Sequence, residues 1–141
     1  MVYLDTSVLV ALFTNEASAS HITLWYADET RLLTSGDWCM TEFASALALK
    51  KRTRQLSCEQ CDTAWQVFCE FCSSGLRLLP LEREVYTQAA QLIRESDNGL
   101  RTGDALHLAL ALHVRAEAFF TLDTRLAASA QQNGLSLITT K

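Results

Sequence analysis

The tripeptide Leu-Asp-Thr occurs twice, as Leu4-Asp5-Thr6 and Leu122-Asp123-Thr124, and each copy joins a short apolar run to a segment with helical spacing. Val2-Tyr3-Leu4 and Ala118-Phe119-Phe120-Thr121-Leu122 read as buried strands, while Thr6 to Phe13 and the residues after Asp123 continue as helices. A strand that runs through an aspartate into a helix, used near both ends of the chain, narrows the possible folds sharply. In one parallel sheet, both aspartates would stand at the same edge.

The intervening chain alternates in the same way. A helix is expected from Glu16 to about Asp28 and a strand over Arg31-Leu32-Leu33-Thr34-Ser35. Asp37 is placed to cap a long helix through Glu42, Phe43, Ala46, Leu47 and Leu49, closed by the basic run Lys50-Lys51-Arg52-Thr53-Arg54. A cysteine-bearing helix precedes the stop signal Gly75, and Leu76 to Leu81 reads as a strand leaving through Pro80. Glu82 to about Ser96 is helical, and Asp97-Asn98-Gly99 is a turn. Gly103-Asp104 opens a helix from Ala105 to about Arg115, and Leu135 to Thr139 is a last strand. Strands separated by helices predict an α/β fold: a mostly parallel central sheet with helices on both faces, in one domain over residues 1–141. Ligands of such sheets bind beyond the carboxyl ends of the strands.

A chain of 141 residues can bury a core without disulfide or metal staples. With 12 Lys plus Arg against 16 Asp plus Glu, the balance excludes nucleic-acid binding spread over the whole surface, so such a contact must be local. No apolar run is long enough to cross a membrane and the amino terminus carries no signal-peptide pattern, so a cytoplasmic protein without membrane contact is expected.

Cys58-x-x-Cys61 and Cys69-x-x-Cys72 imitate a four-thiolate zinc motif. Their spacing puts all four on one helical stripe with Trp65 and Phe68. On a straight helix the two pairs lie about 16 Å apart, too far to share one tetrahedral ion. The expected role is apolar packing, and the odd cysteine count, with Cys39 alone, suits a reducing compartment.

Taken singly, Asp5, Asp104 and Asp123 each sit where an aspartate caps a helix, and Glu42 could be an ordinary solvated charge. Taken together, three junctional aspartates and a glutamate inside the apolar stretch Met-Thr-Glu42-Phe-Ala-Ser-Ala-Leu point to a converging acidic pocket. His107, three residues after Asp104, is placed to orient that carboxylate, to pack, or to take part in acid-base chemistry. His21 and His113 have no partner in the pattern. Haloacid-dehalogenase-type chemistry is excluded because Ser7 stands where a second aspartate is needed, and glycine-rich phosphate loops are missing.

Tyr-Leu-Asp5-Thr6-Ser7, Thr41-Glu42-Phe-Ala-Ser-Ala-Leu, Arg101-Thr-Gly-Asp104-Ala-Leu-His-Leu-Ala and Thr121-Leu-Asp123-Thr-Arg-Leu together resemble the PIN-domain ribonucleases, in order and in spacing, from Val2 to Ile138. Within that family the chain is most similar to VapC-type toxins. The resemblance implies a PIN-like three-layer α/β/α domain and a metal-dependent endoribonuclease serving as the toxin of a toxin-antitoxin pair. It makes Asp5, Glu42, Asp104 and Asp123 the catalytic and metal-binding quartet, with Thr6 and Thr121 as supporting hydroxyls. It also implies Mg²⁺, with Mn²⁺ as a substitute, an RNA substrate, a VapB-type antitoxin and a homodimer. An all-oxygen donor set suits such hard cations. Lys50, Lys51, Arg52 and Arg54 are either a solvated helix end favoured by the helix dipole or a contact for RNA or partner. The alternative reading is a catalytically silent PIN-like module that binds RNA or protein.

Overall fold

In the computed structural model, which describes residues 1–140, the alternation of the sequence becomes a wholly parallel sheet. Its strands are β1 (Val2–Leu4), β2 (Leu33–Gly36), β3 (Arg77–Leu79) and β4 (Ala118–Phe120), in the order β3-β2-β1-β4. The helices are α1 (Thr6–Phe13), α2 (Ala19–Asp28), α3 (Trp38–Arg52), α4 (Cys58–Ser74), α5 (Arg83–Glu95), α6 (Thr102–His113) and α7 (Thr124–Gln132).

Period-two alternation along β1 divides the core. Val2 and Leu4 face a layer built from α1 to α4, where Leu9, Ile22, Phe43 and Phe68 are buried. Tyr3 points the other way, into a layer of α5, α6 and α7 with Val85, Leu108, Leu110 and Leu126. The result is the expected three-layer α/β/α arrangement with a parallel central sheet. Phe43 of α3 and Phe68 of α4 stack with centroids 4.0 Å apart, and α6 is apolar on nearly every side because it lies under the sheet.

Several boundaries differ from expectation. The second helix starts at Ala19 rather than Glu16; β1 has the expected bounds, while β2, β3 and β4 are shorter than the runs that suggested them. Leu135 to Thr139 forms a single parallel bridge, Phe119 with Leu137, because β4 offers one free residue before the chain turns toward Asp123. Asp37 occupies the N-cap position of α3 with helical dihedrals and makes no side-chain cap; its amide instead donates to the Leu79 carbonyl at 2.8 Å, continuing the β2-β3 pairing. The packing role expected for the cysteine stripe holds for Cys61, which is buried, and in part for Cys72 at the edge of the core. Cys58 is exposed in the first turn of α4, because the buried line of that helix runs through Cys61, Ala64 and Phe68. All five thiols are free, and burial pushes the lone Cys39 up to about 12.

Candidate active site

Register builds the site. Leu4 pairs with Phe120 across β1 and β4, and the Asp5 amide donates to the Phe120 carbonyl at 3.0 Å, so Asp5 and Thr121 emerge side by side at the carboxyl edge of the sheet. Both Leu-Asp-Thr units then turn into helices in the same way. Asp5 accepts from the Ser7 amide at 2.9 Å, and Asp123 accepts from the Arg125 and Leu126 amides at 2.8 and 3.0 Å. Glu42 arrives from the second turn of α3. Asp104 comes from the first turn of α6.

Asp104 is not the helix cap that the sequence suggested. α6 begins at Thr102 with Arg101 at its N-cap, so the Asp104 carboxylate has no amide to accept from and points into the cavity. That cavity holds about 400 Å³ and is lined by Asp5, Thr6, Ser7, Glu16, Glu42, Arg101, Asp104, His107 and Asp123, among others. The structure therefore brings all four expected carboxylates to one open pocket.

Each carboxylate has a different environment. Asp5 is buried; one oxygen takes both the amide and the hydroxyl of Ser7, and the other takes the Thr121 hydroxyl at 2.8 Å. Burial pushes its carboxyl above the ordinary range, opposed by His107, Ser7 and Thr121. Asp104 is pushed up as well, first by burial and then by the like charges of Asp123 and Asp5, with Arg101 opposing and Glu42 adding to the rise. Glu42 moves the other way: burial would raise it, but its hydrogen bonds to His107 and Thr6 bring it below the usual range. Arg101 stands at the mouth of the pocket, 3.6 Å from both Asp104 and Asp123.

The Thr6 and Thr121 hydroxyls each lie against a carboxylate of the pocket. Thr6 donates to Glu42 Oε1 at 2.8 Å, and Thr121 donates to Asp5 while accepting from the Asp123 amide at 3.0 Å. Within the basic run, Lys50 reaches the rim of the pocket through Glu16, at 2.9 Å, and Lys51, Arg52 and Arg54 are exposed beyond it. Sequence reasoning gave no role to Tyr3, Ser7 or Arg101, and linked His107 to Asp104 rather than to Glu42. Tyr3 carried a usable signal, since a tyrosine in a buried strand needs a partner for its hydroxyl.

The donor set is all oxygen, crowded with like charge and open to solvent, which is the chemistry that suits a hard divalent cation. Among the described residues, no three Asp, Glu, His or Cys side chains are gathered closely enough to form a ligand cluster. The four carboxylates share a pocket but do not enclose a common point.

A parallel three-layer fold with this acidic edge is that of a PIN domain, and the chain belongs to the PIN-domain family, whose pattern it matches over residues 2–130. Its fold is similar to that of the Mycobacterium tuberculosis toxin VapC20, with 16% identity, coverage of 92% of this chain and 95% of that one, and a TM-score of 0.74. It is also similar to VapBC-1 from nontypeable Haemophilus influenzae, at 15% identity, 98% and 97% coverage and a TM-score of 0.68. For VapBC2 of Rickettsia felis, solved with a fragment of promoter DNA, identity is 14%, coverage complete for both chains and the TM-score 0.68. No curated protein matches the chain by sequence. Among the described residues no helix is long and apolar enough to cross a membrane.

Proposed function

We propose that this protein is a divalent-metal-dependent endoribonuclease acting as the toxin of a cytoplasmic toxin-antitoxin pair. The observation that carries the reading is the meeting of Asp5, Glu42, Asp104 and Asp123 in one open pocket at the carboxyl edge of the sheet, where repulsion already weighs on Asp104. These four residues would hold Mg²⁺, or Mn²⁺ in its place. When bound, such an ion activates a water at neutral pH and neutralises charge on the scissile phosphate and the leaving oxygen.

The remaining work falls to this chain's own side chains. Ser7 and Thr121 fix both oxygens of Asp5, and Thr6 with His107 fixes Oε1 of Glu42, so two carboxylates are oriented before anything binds. Arg101 is exposed at the rim, where its guanidinium would take a phosphate oxygen of the RNA backbone. Lys50 to Arg54 extend that positive rim for RNA or for a partner.

Support for the biological role comes from the relatives. VapC20 is described as a toxin that cleaves the sarcin-ricin loop, and the Haemophilus and Rickettsia proteins were solved as VapBC complexes. We accordingly assign this chain a VapB-type antitoxin, whose basic side chain would enter the acidic pocket, and a homodimeric state. Purified, partner-free protein should cut total RNA into discrete products with Mg²⁺ or Mn²⁺, and EDTA, Asp5→Asn and Asp104→Asn should each abolish the cutting. A folded wild type that binds Mn²⁺ but cuts no RNA species would favour the silent binding module.

A further inference from the structure

A buried hydrogen-bond chain runs from the sheet to Glu42, and the reading given above leaves most of it unused. The Gly36 amide on β2 donates to the Tyr3 hydroxyl at 3.1 Å, that hydroxyl meets His107 Nδ1 at 2.8 Å, and His107 Nε2 reaches Glu42 Oε1. Nε2 also lies 3.1 Å from the Thr6 hydroxyl, which itself donates to Glu42 Oε1 at 2.8 Å. Tyr3 and His107 are 0% and 2% exposed, so neither of these two side chains can turn to water for a substitute.

Counting donors gives the chain a direction. The Tyr3 oxygen accepts from Gly36, and the acceptor at hydrogen-bond distance for its own proton is Nδ1, with the buried Ser35 hydroxyl, itself donating to the Leu4 carbonyl, farther off. A proton on Nδ1 would take from the tyrosine O–H the acceptor 2.8 Å away. Glu42 Oε1 needs a donor on Nε2, because an unprotonated Nε2 would set two acceptors against each other. We propose that Tyr3 and His107 are positioning residues for Glu42: Tyr3 holds the ring in the tautomer that carries its proton on Nε2, and that proton pins Oε1.

The other half of the clamp is Gly103. A Cβ there would come within 2.7 Å of Glu42 Oε2 and 3.0 Å of the Trp38 indole nitrogen, a buried donor without a partner among the described residues. Glu42 is thus seated with Oε1 tied to α1 and α6 and Oε2 held against the start of α6, one residue from Asp104. The pairing of a histidine to an acid it orients is a common way to fix a ligand, and loss of such a support costs about 10- to 100-fold in metal affinity.

This inference rests on the metal-binding reading of Glu42, and its test separates the two. Ring-¹⁵N spectra of the full protein should show His107, the single buried histidine, with its proton on Nε2; His21 and His113 are exposed and distinguishable by exchange with water. Tyr3→Phe should release the tautomer and add a population with the proton on Nδ1. In Mn²⁺ calorimetry, His107→Leu should weaken binding about 10-fold or more, whereas His107→Gln, whose amide can still donate to Glu42, should recover most of the loss. A wild-type ring protonated on Nδ1 overturns the proposal without any variant, as does His107→Leu binding Mn²⁺ like the wild type. A ring protonated on Nε2 together with the expected Mn²⁺ losses, in a protein that cuts no RNA, would uphold the clamp and overturn the nuclease.

Discussion

Glu42 and Asp104 face each other across the same pocket, yet the fold treats them in opposite ways. Glu42 is supplied with donors, Thr6 and His107, and its carboxyl lies below the usual range. Asp104 is given no amide or hydroxyl, is surrounded by Asp5, Asp123 and Glu42, and lies above it. One carboxylate is charged and held in place; the other is charged at the expense of the folded state. The difference teaches that the pocket is part scaffold and part unfinished electrostatic arrangement, and that the unfinished part is where a cation gains most.

The harshest way to break the comparison is to remove charge from the unfinished side and follow the chemistry. Asp5→Asn and Asp104→Asn should each lower RNA cleavage by about 100-fold or more while leaving the fold intact by circular dichroism. Binding should be visible without substrate as well. Mn²⁺ at about 100 times its Kd should stabilise the protein by about 2.7 kcal/mol, which is roughly 5–10 °C in Tm for a chain of this size. Asp104→Asn should flatten that response. A wild-type Tm that ignores millimolar Mn²⁺ would mean that the carboxylates share a pocket for another reason.

How much of this contrast could be read beforehand depends on which physical link carries it. Asp5 and Asp123 were legible because strand periodicity, a capping residue and helix periodicity meet at one position, and those signals are local. The three-layer architecture followed from the same alternation. The pairing of His107 with Glu42 was not legible, since 65 residues separate them and the contact exists only after α6 and α3 pack at the sheet edge. The cap that the place of Asp104 taken singly suggested is not formed, because α6 starts two residues earlier, at Thr102, with Arg101 at its N-cap; its membership of the acidic pocket was legible only from the four motifs together. Cys58 shared its spacing with buried neighbours, but spacing alone does not say which edge of a stripe meets the core.

Stability in the metal-free state sharpens the contrast by sign. In EDTA at pH 7, Glu42→Gln should lose about 1 kcal/mol in urea unfolding, because charged acceptor bonds to Thr6 and His107 are weakened. Asp104→Asn should instead gain up to about 0.5 kcal/mol, since it removes a repelled charge at a partly solvated position. Acid should close both gaps. Glu42's contribution is present above its unfolded value of about 4.3 and is lost as pH falls through its lower folded value. Asp104 carries no penalty below its unfolded value of about 3.9, and the penalty develops as pH rises through the raised folded one. Equal signs for the two variants at pH 7 would erase the distinction.

The smallest effect concerns Arg101, the one cation paired with Asp104 among the described residues. Its side chain is 77% exposed and its ion pairs are 3.6 Å long, so Arg101→Gln alone should cost no more than about 0.5 kcal/mol and less in high salt. Its value lies in a double-mutant cycle with Asp104→Asn. Arg101 opposes the rise of the Asp104 carboxyl, so removing it should leave Asp104 more strongly repelled and make Asp104→Asn more stabilising than in the parent. Strict additivity would show that the guanidinium does not relieve Asp104, and would confine its role to the RNA backbone at the rim.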